Sequence, residues 1–588
     1  MNRSVCFFIL VLLLCDGADV TKPVSGRNDQ PPRNGVITGR VILEDGSPAE
    51  GVLVMTYRIG IKQTSYDHTM QEFRSDREGN FKATGLVPGL YELSASLAGY
   101  VHASSSAEST LYRIGEHVTI NLVKGGVITG VVTDANGEPM IGEYVYAYRM
   151  RDSEGRPLFE RQLVNYSDWD STDDRGIYRI YGLYPGSYIL RVNAGIGVPV
   201  GGADLRLDAP TYYPSASRAA AVEINVRAGD EVSGINIQQR NQRGSAITGI
   251  LTGEVEQDND SNSWPRVTLL NIHTGHVEAE SHTSNSNRFV IYGVADGEYT
   301  LFAHRFSQIK GNAGSSPIRI QMRGADLTGI ELKLNKFASI SGRISIEPPK
   351  TESSSVQCQS NEKFGVEEIF VEAKSDAPKN PTQELLSLPD FLGRSSVLVD
   401  KGEFNFDSLV TGRYRIVTDL PGENWYVRAI NQPAPAPAKG MIDVSRTGIA
   451  VKRPEKLSGV EVVIAGGAAS LKGRVVYAND LQTKTDKIPL SRYRVHLIPA
   501  EKTAAENILQ YAETFAGSDG AFTFKNMAPG KYRLLARPLP EADSVEVEPR
   551  PAAWDAVERV KLLREAGNDV IELRPCQGVT DYVLQLKK

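Results

Sequence analysis

A chain of 588 residues exceeds what one hydrophobic core can organise, and a hydrophobic content of 41% lets several segments each bury a core. Its 65 basic and 71 acidic residues are interleaved, giving a net charge of −6 with no basic patch or acidic tail, which argues against nucleic-acid or membrane-surface binding. The 54 glycines and 31 prolines fit many turns between short strands.

The first residues read as an export signal. Arg3 supplies the positive end, Val5 to Leu14 is apolar, and small residues follow at Gly17 and Ala18. The apolar run is about half the length that a spanning helix needs. Cleavage is therefore expected after Gly17 or Ala18, giving a signal peptide of 1–18. A rival use of the same segment is a lipid anchor at Cys15, although Leu14 stands where lipoprotein signals usually carry a small residue. No later segment is apolar enough to cross a bilayer.

From residue 36 onward one pattern returns five times: an aromatic residue, a turn, then Gly-x-Tyr. The copies run Phe81–Tyr91, Tyr178–Tyr188, Phe289–Tyr299, Phe404–Tyr414 and Phe522–Tyr532, each spanning 10 positions. A single inserted residue would flip a strand's side chains to the other face, so a fixed interval means a fixed geometry. Turn formers precede the aromatic, as in Asp76-Arg-Glu-Gly79, Asp173-Asp-Arg-Gly176 and Ser518-Asp-Gly520. These acids are too few and too scattered for a calcium loop, so they are expected to be structural turns. Each copy is introduced by an apolar-polar-Gly segment beginning at Ile37, Ile128, Ile247, Ile340 or Leu471. Closing strands are read at Val118–Leu122, Ser233–Ile237, Thr328–Leu332 and Ser458–Val462.

The expected fold is all-β, a tandem array of about five Ig-like or transthyretin-like β-sandwich domains. Their expected limits are 33–124, 125–243, 244–335, 336–467 with a polar insertion at 351–363, and 468–588. Helical periodicity is confined to Pro381–Gly393 and Trp554–Ala566, each good for a turn or two within a loop. The Pro-Ala run at 432–439 is expected to be a stiff extended stretch. With the leader removed, Cys358 and Cys576 are the remaining cysteines. They would pair and tie two repeats together, or stay as separate thiols, and separate thiols are the slightly preferred expectation.

The segment from Ile37-Thr-Gly-Arg-Val41 to Pro88-Gly-Leu-Tyr91, with Asp45-Gly-Ser-Pro48 between its first strands, resembles the carboxypeptidase regulatory-like domain. A second copy with Asp134-Ala-Asn-Gly-Glu-Pro139 resembles it as well. The resemblance implies a transthyretin-like sandwich, a fold often set beside a peptidase or at the front of an outer-membrane transporter. Thr211-Tyr-Tyr-Pro214 and Asn424-Trp-Tyr-Val427 are similar to segments of large secreted bacterial proteins made of tandem copies. Such a sandwich specifies fold better than function.

Chemistry is sparse. None of the eight histidines has Glu three positions later, and neither His-Glu-x-x-His nor Gly-x-Ser-x-Gly occurs. No cofactor and no enzyme activity are expected. His273-Thr-Gly-His276, with Glu278, Glu280 and His282, offers possible metal ligands, but the polar face of an exposed hairpin is the expected role. The candidate contact site is Tyr144, Tyr146 and Tyr148. Aligning Gly51 with Gly142 puts Glu143, Val145 and Ala147 on the core face, so the tyrosines project from the other. They would stack sugar rings, anchor a partner, or meet the neighbouring domain, and Trp169, Tyr212 and Tyr213 lie in the same repeat. Three functions remain open: an exported adhesion or scaffold protein with an unidentified protein or glycan partner, a carbohydrate-binding protein using the tyrosine face, and an accessory subunit of a peptidase or transporter. The address is periplasmic, cell-surface or extracellular.

Overall fold

The computed structural model describes residues 35–58, 70–103, 111–153, 155, 169–192, 208–256, 264–272, 277–283, 287–307, 311–347, 365–376, 396–398, 402–477, 488–501, 504–539 and 550–586. The expected leader with Cys15, the insertion at 351–363 and the segment 381–393 lie outside them.

The first unit sets the pattern. Its strands are β1 (Gly35–Leu43), β2 (Leu53–Arg58), β3 (Gln71–Arg74), β4 (Asn80–Leu86), β5 (Leu90–Ser96), β6 (Tyr100–His102), β7 (Leu111–Arg113) and β8 (His117–Lys124). One sheet runs β4-β1-β8-β6 and the other β3-β2-β5-β7. Alternation decides what is buried: along β1, Ile37 and Val41 face inward, and β4 contributes Phe81 and Ala83 to the same core. Strand β1 pairs antiparallel with β4 and parallel with β8.

The same parallel pairing of opening and closing strands recurs four more times. Gly126–Thr133 pairs with Glu231–Val232 and Ile237–Gln238, Ser245–Gly253 with Leu327–Lys336, Ala338–Glu347 with Lys456–Gly466, and Ala469–Val476 with Gly578–Gln585. Each repeat has its own apolar cluster. The protein is therefore an all-β array of sandwiches. In the third unit the two-residue strand Ala313–Gly314 joins both layers into one eight-stranded sheet.

The interval of 10 residues has a definite cause. The aromatic and the tyrosine lie in different sheets, so the turn between them carries the chain across the sandwich: β4 pairs β1, whereas β5 pairs β2. Each tyrosine hydroxyl then donates back to the carbonyl four residues earlier. The five latches are Tyr91 to Val87 (2.7 Å), Tyr188 to Tyr184 (2.7 Å), Tyr299 to Ala295 (3.0 Å), Tyr414 to Val410 (3.0 Å) and Tyr532 to Ala528 (2.6 Å). Such a buried phenol satisfies a turn carbonyl that a Phe would leave unpaired.

The glycine of each opening strand is a close-approach position. A Cβ at Gly39, Gly249, Gly342 or Gly473 would sit 2.3, 2.2, 2.2 or 2.5 Å from a carbonyl oxygen of the closing strand, and one at Gly130 would sit 2.0 Å from Ile235 O, between the two closing strands of the second unit. Phe81, Phe289, Phe404 and Phe522 lay their rings over four of these glycines. The second unit has Tyr178 instead, whose hydroxyl donates to Ile235 O at 2.5 Å. Acidic turn residues act on the backbone: the Asp76 carboxylate accepts from the amides of Glu78 (3.0 Å) and Asn80 (2.7 Å), and Asp173 accepts from Arg175 (2.9 Å) and Ile177 (2.8 Å).

Three expectations change. Within 432–439 the chain reverses rather than extending: strand Trp425–Pro433 pairs antiparallel with Met441–Asp443, and Ala434 N donates to Gly440 O at 2.9 Å. Residues 556–565 form a full helix, α1 (Ala556–Glu565), because Asp555 caps it by accepting from the amides of Val557 and Glu558. Cys576 is in a disulfide, not a free thiol, and its partner lies outside the described residues.

Candidate functional site

The candidate face is the outer surface of one sheet in the second unit. Along Tyr144–Asp152, Val145 and Ala147 join the core cluster, so Tyr144, Tyr146 and Tyr148 point away from it. Residues Trp169–Ser171 form the edge strand beside them, with Tyr144 opposite Ser171 and Tyr146 opposite Trp169. The Trp169 ring meets Tyr144 edge-on at 5.1 Å and lies 6.5 Å from Tyr146, while Tyr144 and Tyr146 are 6.4 Å apart. Tyr144 is 41% exposed. Three rings with polar tips on a rigid ladder form a stacking platform.

Tyr148 does not share that exposure. It is buried with Ile189 and Tyr212, on the part of the face covered by the third unit. Strand Gly186–Val192 is accordingly buried at every position, one side in the core and the other at the junction. Within it Arg191 donates to the Tyr148 hydroxyl (3.3 Å) and to Glu278 O (3.0 Å), and its guanidinium lies 3.1 Å from the Glu278 carboxylate. Tyr212 donates to that carboxylate at 3.4 Å, and Arg218 stacks over the Tyr212 ring at 5.5 Å. Burial pushes the Tyr212 phenol up to about 12, the Glu278 charge adding to the rise against Arg191 and Arg218. Tyr212 is thus a neutral donor across the physiological range.

The sequence-derived triad therefore divides in position. Tyr144 and Tyr146 join Trp169 at the surface, whereas Tyr148 belongs to an intramolecular junction. Arg191 was missed, although its signal was present: a lone arginine inside the apolar strand Tyr188-Ile-Leu-Arg-Val192 needs a buried counter-charge. His273 and His276 lie outside the described residues. Of their proposed companions, Glu278 is engaged by Arg191, Glu280 accepts from the Thr268 hydroxyl at 3.1 Å, and burial lowers the His282 pKa. Among the described residues no group of three His, Cys, Asp or Glu side chains converges in a metal-holding arrangement.

A cavity of about 420 Å³ opens between the fourth and fifth units, lined by Arg415, Tyr511, Trp554 and His496 among others. His496 Nδ1 is 3.3 Å from Glu513, which also takes an ion pair from Arg494 at 3.0 Å. Burial would raise the Glu513 pKa, but the His496 hydrogen bond and the Arg494 charge outweigh it and hold the carboxylate below its ordinary range.

Residues 36–123 match the carboxypeptidase regulatory-like domain. No curated protein matches the chain. Among solved structures the chain is similar to the Bacillus anthracis TIE protein, at 13% identity over 51% of each chain and a TM-score of 0.13. It spans about half the length of that protein. It is also similar to GBS52, the minor pilin of Streptococcus agalactiae, at 17% identity over 36% of this chain and 96% of that one, TM-score 0.18. A third is the shaft pilin SpaA of Lactobacillus rhamnosus GG, at 13% identity over 35% and 97%, TM-score 0.16. The all-β assignment rests on the strand order, not on these superpositions. No helix among the described residues is long and apolar enough to cross a membrane.

Proposed function

We propose that this chain is an exported, non-catalytic binding or scaffold protein of the cell envelope or exterior, made of units at 33–124, 125–243, 244–335, 336–467 and 468–588. The observation that carries this proposal is how the repeated residues are used. Latch tyrosines, close-approach glycines and turn aspartates all serve the fold, whereas the Tyr144, Tyr146 and Trp169 rings on the outer face of the second unit are no part of the repeat. Fractionating cells that make the full chain, with N-terminal sequencing of the product, tests the address. The expected product lies outside the cytoplasm and begins at residue 18 or 19. Cytoplasmic retention with Met1 intact would refute export.

A second function is favoured by one observation, the Trp169–Tyr144–Tyr146 platform. Aromatic rings set on a strand suit the apolar face of a sugar, and base–aromatic contacts show what one such ring contributes, about 1–3 kcal/mol. A glycan array with the mature protein tests it, with Tyr144→Ala and Trp169→Ala as controls. Binding lost in both variants supports sugar recognition. Binding that survives both moves the site elsewhere.

A further inference from the structure

At each junction between the second and fifth units an arginine leaves its own unit and reaches an acceptor in the neighbouring one. Arg191 of the second unit is 2% exposed and reaches both the carboxylate and the main-chain oxygen of Glu278 in the third. At the next junction Arg453 of the fourth unit donates to Gly314 O of the third at 2.7 Å. Its guanidinium lies 4.5 Å from the centre of the Phe337 ring. Phe337 is itself the link, the one residue between strands ending at Lys336 and starting at Ala338, and it is 5% exposed. Beside it Asn312 donates to the buried Ser408 hydroxyl at 2.8 Å. At the last junction Arg550 of the fifth unit donates through Nε to Asp376 of the fourth at 2.9 Å. Asp376 also takes Arg415 Nε at 2.9 Å, so one buried carboxylate is shared by two arginines. Asn526 adds hydrogen bonds to Gly422 O (2.7 Å) and Trp425 O (2.9 Å).

We infer that units two to five form one rigid strut whose junctions are pinned by Arg191, Arg453 and Arg550. The physical reason is asymmetric. Closing such a junction replaces water around a guanidinium with directed carboxylate or carbonyl acceptors, while sliding it by one residue strands a buried charge without its partner. Intermediate orientations are therefore the costly ones. Short links remove the remaining freedom: one residue joins units three and four, and two residues, Gly467 and Ala468, join four and five. A rigid strut goes beyond a set of spacers, because it holds the Trp169 platform at a fixed distance and direction from the fifth unit.

Small-angle scattering and hydrogen exchange on the full mature chain test this inference. The wild-type curve is expected to fit a single arrangement of units two to five. Arg191→Met, Arg453→Met and Arg550→Met are each expected to enlarge the maximum dimension. Each should also raise amide exchange tenfold or more in the facing segment (277–282, 311–315 and 370–376 respectively), with exchange in the unit cores unchanged. A wild-type curve that needs several arrangements overturns the inference. So does a folded variant whose facing segment exchanges at the wild-type rate. If Arg191→Met does not fold, Glu278→Gln and the wild-type curve decide the same question.

Discussion

Arg113 of the first unit and Asp419 of the fourth are 306 residues apart in the chain, and their side chains meet at 3.3 Å. The first unit therefore folds back toward the fourth, but it is held differently from the junctions that follow it. Asp419 is 49% exposed and the pair is open to salt, so it contributes only about 0–1 kcal/mol.

Asp419→Lys, or about 0.5 M salt in the wild type, is expected to release the first unit. Small-angle scattering would report the release as a larger maximum dimension. Acid should act oppositely. Burial raises the pKa of Glu116, which faces Arg113, Asp419 and Lys525, and of Glu368, which faces Arg113, Glu367 and Glu116. A raised carboxylate pKa gives stability that is present below the raised value and lost as pH rises through it. Docking should thus tighten as pH falls from neutral toward the ordinary glutamate range. Loosening over that interval would refute this account.

The tyrosine latch is worth testing where it is most buried. Tyr532→Phe removes the donor to Ala528 O and leaves that carbonyl unpaired, which should cost about 1–2 kcal/mol. Urea denaturation would show a lower midpoint. Tyr181→Phe, at a tyrosine 66% exposed, is the control and should be nearly neutral. Equal effects in the two would remove the latch as the reason for the fixed spacing.

Two glycines separate close approach from backbone conformation. Gly130→Ala drives a methyl to 2.0 Å from Ile235 O and should cost about 2–4 kcal/mol. Gly46 has φ +79° with nothing within 4 Å, so Gly46→Ala should cost only about 1 kcal/mol. Thermal melts of both variants would rank them. The reverse order would mean that the strands spread easily.

His304 predicts an acid response of the third unit. It is buried between Phe302 and Phe306, and burial, reinforced by Arg266 and His282, lowers its pKa to about 3. A depressed histidine leaves stability intact above the unfolded value, near 6.5, and erodes it below as the unfolded chain takes up the proton. The expected slope is about 1.4 kcal/mol per pH unit between roughly 6.5 and 3. His304→Phe should abolish it. An imidazole NMR titration near 6.5 in the folded protein would contradict the assignment.

Much of the scaffold was written locally. Period-two alternation and the recurrent Gly-x-Tyr exposed the strands, because both follow from contacts within one unit. The sequence could place Tyr144, Tyr146 and Tyr148 on the face opposite Val145 and Ala147, but not tell which of them another unit would cover. That depends on Glu278, 87 residues from Arg191, and no local pattern links the two. For the same reason the sequence could not show that Glu278, beside the histidine-rich hairpin, is the buried counter-charge of Arg191. In the Pro-Ala run, pairing of Trp425–Pro433 with Met441–Asp443 likewise overrides the extended tendency of the prolines.

The parallel pairing of each unit's opening and closing strands has a consequence for how such a chain grows. Two parallel strands begin at the same end of the sandwich and finish together at the other, so the polypeptide enters each copy at one pole and leaves at the opposite one. In the first unit it passes from Lys124 to Gly126 through a single glycine, already aimed onward. A duplication cut at such a pole would add one module without requiring a new return path, and a deletion would remove one.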